Sequence, residues 1–193
     1  MSKAVSGRAD ILPDLGEVFR AHGYEGTTLA LITDATGLGK GSLYHFFPGG
    51  KEQMAAEVLA HIDAWFTEHI YAPLRDADDP GAGIVAMFDA VDAYFRSGRR
   101  VCLVGVMALG ASRDSFAAQV KDYFAAWIDA LAAALRRRGD SNAMARRKAE
   151  QTVLEIQGAL VLSRALDDLK VFARALAAAR ARLNEKEGAV SEG

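Results

Sequence analysis

The chain has 193 residues, a formal net charge of −2 and a single cysteine, Cys102. This length allows one large domain or two smaller ones, with a core that needs no disulfide. The longest apolar run, residues 101–111, is too short to cross a bilayer, and from the polar first ten residues we expect no secretory signal. Composition therefore predicts a soluble, cytoplasmic, almost entirely helical protein, and the net charge gives no sign of a nucleic-acid partner.

The first predicted helix begins near Asp10, a good N-cap, and ends before Gly23. Apolar residues at positions 11, 12, 15, 18 and 19 form the single face of an amphipathic helix. Pro13 falls in the first turn, where a proline is tolerated because its missing N–H would have no partner there.

Two shorter helices are predicted next, separated by a glycine turn. Thr27 and Thr28 offer a cap for the second helix, and residues 37–39 end it. The third helix carries Leu43 and Phe47 on its apolar side. Three short helices with a glycine turn between the second and third match a helix-turn-helix.

Longer helices fill the rest of the chain. One runs from about residue 51 to residue 70, and the loop 75–83 follows it. Further helices are predicted near residues 84–97, 101–109, 113–138, 142–166 and 168–184. Gly139 fits a C-cap, and the three arginines before it favour the negative end of the helix dipole over a DNA patch.

The glycine-rich stretch GLGKGSLYHFFPGGKE, residues 37–52, does not have the spacing of a nucleotide site. A P-loop needs Ser or Thr after its Gly-Lys pair, whereas Gly41 follows Lys40 and Glu52 follows Lys51. A nucleophile elbow, a zinc signature and paired catalytic carboxylates are also missing from the sequence. We therefore expect neither an enzyme nor a bound cofactor or metal.

The same stretch suits a helix that enters the major groove of DNA. Lys40 and Ser42 provide hydrogen-bond donors at the start of the third helix, and Gly41 lets its first turn approach a surface closely. Tyr44 and His45 lie one turn further along the exposed side. For these two residues, a half-buried packing tyrosine and an ordinary surface histidine are the alternatives.

The N-terminal part of the chain resembles the TetR-type repressor family. The residues that carry the resemblance are R-x-x-IL at 8–12, F-x-x-x-GYEGTT at 19–28, Ile at 32 and ATGLGKGSLYHFFPGGKE at 35–52. The FPGGKE ending and the later CLVGVMALG are similar to a branch with multidrug-responsive regulators. Pro13, Thr33 and Gly39 depart from the family pattern, and beyond about residue 55 the resemblance is only architectural.

The resemblance implies a repressor that a small apolar ligand releases from its operator. It implies an all-α fold, with a three-helix helix-turn-helix DNA-binding domain over residues 1–52 and a helical ligand-binding and dimerisation domain over residues 53–193. Lys51 would clamp a backbone phosphate, and Thr27 and Thr28 would cap helix two and touch a phosphate. The implied contacts with double-stranded DNA are Thr27, Thr28, Lys40, Gly41, Ser42, Tyr44, His45 and Lys51.

The charge of the N-terminal region argues against strong DNA binding. Residues 1–60 hold five Lys or Arg against seven Asp or Glu, whereas a DNA-binding head is usually basic. Most of these acids lie away from residues 37–51, and local charge counts for more than the sum because salt screens beyond about 8–10 Å. A helical ligand-binding or protein–protein module without a DNA role is the main alternative.

Residues 65–127 are rich in aromatic residues and methionine. Most of these side chains must simply form the core, but such a mixture is also what an adaptable apolar pocket needs. The resemblance favours a small-molecule pocket in this domain without fixing its residues. The predicted lining residues are Phe66, Phe88, Tyr94, Cys102, Met107, Phe124 and Trp127. We interpret Cys102 as a small buried hydrophobe.

The last two helices each carry an apolar stripe that predicts a homodimer. Two copies would form a four-helix bundle and bring two recognition helices to successive major grooves about 34–36 Å apart, so the operator should be a palindrome. The alternative is that both helices pack inside one subunit. The predicted interface residues are Val153, Ile156, Leu160, Ser163, Leu169, Phe172 and Leu176.

Overall fold

The computed structural model describes residues 7–184, apart from the side chain of Ser112, and every regular element in this range is helical. The all-α prediction is therefore confirmed. The helices are α1 (Leu12–Gly26), α2 (Leu29–Thr36), α3 (Lys40–Phe46), α4 (Gly50–Phe66), α5 (Ala72–Asp76), α6 (Pro80–Tyr94), α7 (Leu103–Leu109), α8 (Ala117–Arg137), α9 (Asn142–Ala165) and α10 (Leu169–Asn184). In the part of the chain that is described, no helix is long and apolar enough to span a membrane.

Helix α1 begins two residues later than its sequence suggests. Asp10 ends a short 3₁₀ turn, Arg8–Asp10, and its carboxylate accepts a hydrogen bond from the Gly7 N–H at 3.1 Å. The N-cap is Ile11. Pro13 lies in the first turn, as predicted, and Gly23, with φ of 67°, ends the regular part of the helix at the predicted position.

The segment predicted as the loop 75–83 is helical at both ends. Helix α4 is followed directly by a π-helix, Thr67–Tyr71, which leads into α5. Helix α6 begins at Pro80, because the Asp79 carboxylate accepts hydrogen bonds from the next two free N–H groups at 2.8 and 3.2 Å. A proline at the first position of a helix is favourable, so here it marks a start and not a break.

Contacts within the chain divide the described residues into two compact units. Unit 1 holds the chain up to Phe66 together with Cys102–Phe124, and unit 2 holds Thr67–Val101 and the chain from Ala125 onward. These units differ from the predicted domains, since residues 102–124 pack with the N-terminal helices. The domain boundary after residue 52 stays a prediction.

The core of unit 1 places helices α1–α4 around a few large apolar side chains. Leu15 and Phe19 of α1, Leu43 of α3 and Phe47 are fully buried, as is Ile32 of α2. Burial of one such side chain contributes about 1.5–3 kcal/mol. Helix α3 is thus fixed by its apolar side, and its other side faces solvent.

In unit 2, the largest buried side chains include Trp127 and Phe172. The arginines at the end of α8 have a structural role there: Arg137 donates hydrogen bonds to the carbonyls of Arg75 and Ala77, the latter at 2.9 Å. The prediction that this basic triplet belongs to a helix terminus is confirmed for Arg136 and Arg137, which form the last turn of α8.

Candidate nucleic-acid interface

The turn between α2 and α3 has the geometry that its glycines predict. Gly37 adopts the left-handed conformation, with φ of 68°, and its N–H donates to the Thr33 carbonyl at 2.8 Å. Gly39 is extended and is the N-cap of α3. Only glycine takes a positive φ without strain, so Gly37 sets the angle at which α3 leaves α2.

Helix α3 has one buried and one exposed side. Leu43 and the following Phe47 are fully buried. Tyr44 is 40% exposed, and the structure brings the other predicted contacts of α3 together on the exposed surface: Lys40, Gly41, Ser42 and His45. The exposed side of α3 therefore offers a cation, a hydroxyl, a phenol and an imidazole to a partner.

The glycines at the start of α3 are not required by the protein's own packing. A Cβ added at Gly39 or Gly41 would have no atom within 4 Å, and neither residue needs a positive φ. Larger side chains would therefore fit within the monomer. What the two glycines provide is a bare helix start, where another molecule can approach the backbone closely.

Thr27 and Thr28 have different positions. The Thr28 hydroxyl is exposed and caps α2 by accepting from the Leu31 N–H at 3.3 Å, as predicted. Thr27 is buried, and its hydroxyl donates to the Gly23 carbonyl at 2.6 Å. Thr27 therefore holds the turn between α1 and α2, and its burial argues against a side-chain contact with DNA. Phosphate contact by Thr28 stays a prediction.

Lys51, in the first turn of α4, holds the turn between α1 and α2. Its ammonium donates to the carbonyls of Tyr24 and Thr27, at 3.0 and 3.2 Å, and lies 4.5 Å from the centre of the Tyr24 ring. Burial, followed by the charges of nearby glutamates, raises the pKa of Tyr24, so its ring stays neutral. An ammonium has three donors, so one remains for the phosphate that this residue is predicted to clamp.

Few positive charges of the N-terminal helices are free to meet DNA. Arg8 and Arg20 form ion pairs with glutamates of the same unit, at 2.9 and 3.0 Å. Lys51 is committed to carbonyls. Among the described basic residues up to this point, Lys40 is exposed without an ion pair or hydrogen bond. Two of the acidic residues in this region, Glu57 and Glu17, therefore neutralise these two arginines.

The predicted pocket residues are divided between the two compact units. Phe66, Cys102, Met107 and Phe124 belong to unit 1, whereas Phe88, Tyr94 and Trp127 belong to unit 2. All are buried except Phe124, which is half-buried. Cys102 is buried as predicted, and its sulfur accepts from the Gly105 N–H at 3.3 Å, which caps α7. No group of residues able to hold a metal was found between residues 7 and 184.

A pocket of about 180 Å³ opens in unit 1, and none of the predicted residues lines it. Its walls come from α4, α7 and the first turns of α8. The sequence prediction chose aromatic residues, a methionine and Cys102, whereas two aspartates and a glutamine contribute to this lining. The principal lining residues are Leu59, Asp63, Val104, Gln119, Asp122 and Tyr123.

Most residues of the predicted dimer interface are covered by the chain itself. Val153, Ile156, Leu160 and Ser163 of α9 are buried within the chain, and so is Phe172 of α10. The two helices pack against each other through this stripe, and the Ser163 hydroxyl accepts from the Phe172 N–H at 2.9 Å. Leu169 is exposed and Leu176 is half-buried. Periodicity identifies an apolar stripe but not the helix that covers it.

The opposite side of α9 carries a second apolar stripe, which we call the open face: Leu154, Gly158, Val161, Leu162 and Ala165. Leu154 is 72% exposed and Val161 62%. A turn of 100° per residue places these residues about 180° from the buried stripe. The sequence shows both stripes, and only the fold shows which one is left uncovered.

Two family models match the chain. Residues 16–58 match bacterial regulatory proteins of the TetR family, and residues 80–178 match the C-terminal domain of LmrA/YxaF-like transcriptional regulators. The second match alone covers half of the chain. Both helices of the helix-turn-helix lie inside the first match.

This chain is also similar to individual transcriptional regulators. The HTH-type transcriptional regulator LmrA of Bacillus subtilis is 29% identical over 160 residues, which are 81% of this chain and 85% of LmrA. A TetR transcriptional regulator from Legionella pneumophila has the same fold, with a TM-score of 0.78 and 21% identity over 93% of this chain and 99% of that one.

A third relative was solved with DNA. The TetR family regulator CifR, as a cysteine mutant in complex with a 26 bp double-strand operator, matches with a TM-score of 0.70 and 25% identity over 91% of this chain and 99% of that one. The proteins that this chain resembles are regulators of transcription and not enzymes. The chain thus belongs to the TetR family, in the group with an LmrA/YxaF-like C-terminal domain, and is a DNA-binding transcriptional regulator.

Proposed function

We propose that this regulator is a cytoplasmic repressor that binds a palindromic operator as a homodimer and leaves it when a small molecule binds. The observation that carries the proposal is the exposed side of α3. Its apolar side is fixed by Leu43 and Phe47, and Lys40, Ser42, Tyr44 and His45 face solvent beside a helix start bare of side chains. Such a helix can enter a major groove end-on.

The residues of α3 divide into contacts with different effects. Tyr44 and His45 can reach base edges and would carry sequence preference, whereas Lys40 and the remaining donor of Lys51 would meet phosphates. Phosphate contacts fix the position of the protein without reading sequence. Specificity should therefore lie in residues 40–45.

The open face of α9 supports a homodimer. Large apolar side chains such as Leu154 and Val161 are mostly exposed, and Gly158 between them has no atom within 4 Å of an added Cβ. A second copy of the chain would bury this face about a two-fold axis. A dimer also supplies a second recognition helix, and one helix alone makes too few base contacts to select a site in a genome.

Release by a ligand needs a difference in affinity between two states of the protein. We propose that the ligand changes the tilt of α4, whose first turn holds the α1–α2 turn through Lys51. The usual scale of such coupling is about 1–3 kcal/mol in DNA affinity.

The test uses a duplex selected by the wild-type protein from a random pool. Fluorescence anisotropy at matched salt should show tighter binding to this duplex than to a scrambled one. Tyr44→Ala should lose about 1–3 kcal/mol on the selected duplex and little on the scrambled duplex. Equal affinity of the wild type for both duplexes would refute the proposal.

A further inference from the structure

The pocket of unit 1 has a chemistry that selects its ligand. Leu59 and Val104 supply apolar walls, and the Tyr123 ring, only 2% exposed, contributes a buried aromatic surface. Two carboxylates, Asp63 and Asp122, line the same space. The pocket therefore combines an apolar interior with negative charge at its rim.

The two carboxylates are not neutralised by the protein. Neither Asp63 nor Asp122 forms an ion pair or a hydrogen bond with another described residue. Burial, followed by the charge of Asp122, raises the pKa of Asp63. Two like charges that line the same pocket repel, and a cation bound there would stabilise both. No Lys, Arg or His is among the lining residues.

We propose that this pocket binds a small organic cation, an amine or quaternary ammonium with an apolar body, and that this cation is the effector. Its charge would lie between Asp63 and Asp122, and its apolar body against Leu59, Val104 and the Tyr123 ring. At about 180 Å³, the pocket takes a ligand smaller than the drug-sized molecules that fill roughly 300–1,000 Å³. The assignment as effector rests on the proposed release by a ligand, whereas the binding does not.

The start of α8, which forms one wall of the pocket, and Phe116 just before it contact α4 and α1 of the same unit. Gln119 of α8 donates to the Ala56 carbonyl of α4 at 3.2 Å. Phe116, just before α8, meets the edge of the Tyr24 ring at a centroid distance of 5.2 Å. Lys51 lies over the same Tyr24 ring. A ligand that moves α8 relative to α4 therefore displaces the contacts that hold the α1–α2 turn.

Calorimetric titration tests the site without DNA. The probes are tetramethylammonium, benzyltrimethylammonium and 2-phenylethylamine, with 2-phenylethanol as a neutral molecule of the same shape as the last. We expect at least one cation to bind and the alcohol to bind about tenfold more weakly than the amine. Failure of all three cations, or equal binding of alcohol and amine, would overturn the proposal.

Variants of the two aspartates test whether the cation binds in this pocket. Asp63→Asn and Asp122→Asn keep the shape of the side chain and should each weaken cation binding by about tenfold. Asp78→Asn, an equal change of charge at an exposed residue in the loop before α6, is the matched control and should bind as the wild type does. Wild-type affinity in both pocket variants would place the cation elsewhere and refute the site.

Fluorescence anisotropy with the selected duplex tests whether the cation that binds this pocket is also the effector. We expect the binding cation to lower operator affinity in the wild type and not in Asp63→Asn. A cation that binds through both aspartates but leaves operator affinity unchanged would keep the site and overturn its assignment as effector. Release of DNA by other molecules, without cation binding, would overturn the site and leave the proposed function standing.

Discussion

Replacing Lys51 with methionine separates the structural role of this residue from its predicted contact with DNA. Methionine keeps the apolar stem and removes the ammonium. The carbonyls of Tyr24 and Thr27, which accept from Lys51 at 3.0 and 3.2 Å, then lose a donor. A hydrogen bond to a charged group contributes about 1.5–3 kcal/mol.

The expected loss for Lys51→Met is about 2–4 kcal/mol of unfolding free energy. It is smaller than two full bonds, because the ammonium is only half-buried and solvent screens its charge. Urea unfolding followed by far-ultraviolet circular dichroism measures the loss. Hydrogen exchange of the α2 amides should show that it begins at the α1–α2 turn.

Lys40→Met is the matched control, since Lys40 is exposed on α3 and has no partner among the described residues. It should change stability by less than about 0.5 kcal/mol while weakening DNA binding. Equal stability of Lys51→Met and Lys40→Met would refute the structural role of Lys51. The remaining contribution of Lys51 to DNA affinity should be the same on selected and scrambled duplexes, because a phosphate carries no base information.

Three further outcomes follow from the structure. Lys40→Ala should reduce the slope of log affinity against log salt by about 1 for each recognition helix that is bound; an unchanged slope would exclude a phosphate contact. Because the pKa of Asp63 is raised in the folded state, its ionisation favours unfolding, so Asp63→Asn should raise the urea midpoint at pH 7. That gain should shrink as the pH falls toward 3.8, the ordinary value of the carboxyl, and a gain independent of pH would contradict the cause. Val161→Glu on the open face should give a species near the 20.7 kDa chain mass in sedimentation, and the exposed Gln151→Glu should not; two dimeric variants would exclude this interface.

The helix-turn-helix could be predicted because its determinants are local. Gly37 needs its left-handed conformation, Thr28 caps the helix that follows it, and Leu43 points inward because of its position in the helical repeat. Each of these follows from a few neighbouring residues. The sequence alone therefore predicts which side of α3 is exposed.

The uncovered side of α9 could not be predicted, because α9 carries apolar residues on both sides. The side with Ile156 and Leu160 has the more regular repeat, and α10 of the same chain covers it. Leu154 and Val161 are left exposed. The choice between the two sides depends on a contact between distant elements, which periodicity does not contain.

The pocket in unit 1 could not be predicted for a related reason. Residues such as Phe88 and Trp127 have the composition of an apolar site, but the fold uses them as core. The pocket in unit 1 joins Asp63 of α4 to Asp122 of α8, which are 59 positions apart (122 minus 63). A single carboxylate on each helix is an ordinary surface residue until the fold brings the two together.

A hydroxyl-radical footprint on the selected duplex tests the central claim, that two copies of α3 read successive major grooves. The account predicts two protected half-sites related by a two-fold axis, with centres about 10–10.5 base pairs apart. Tyr44→Ala should weaken both half-sites together, because each copy contributes the same residue. One protected half-site, or a continuous footprint that Tyr44→Ala leaves unchanged, would contradict the account.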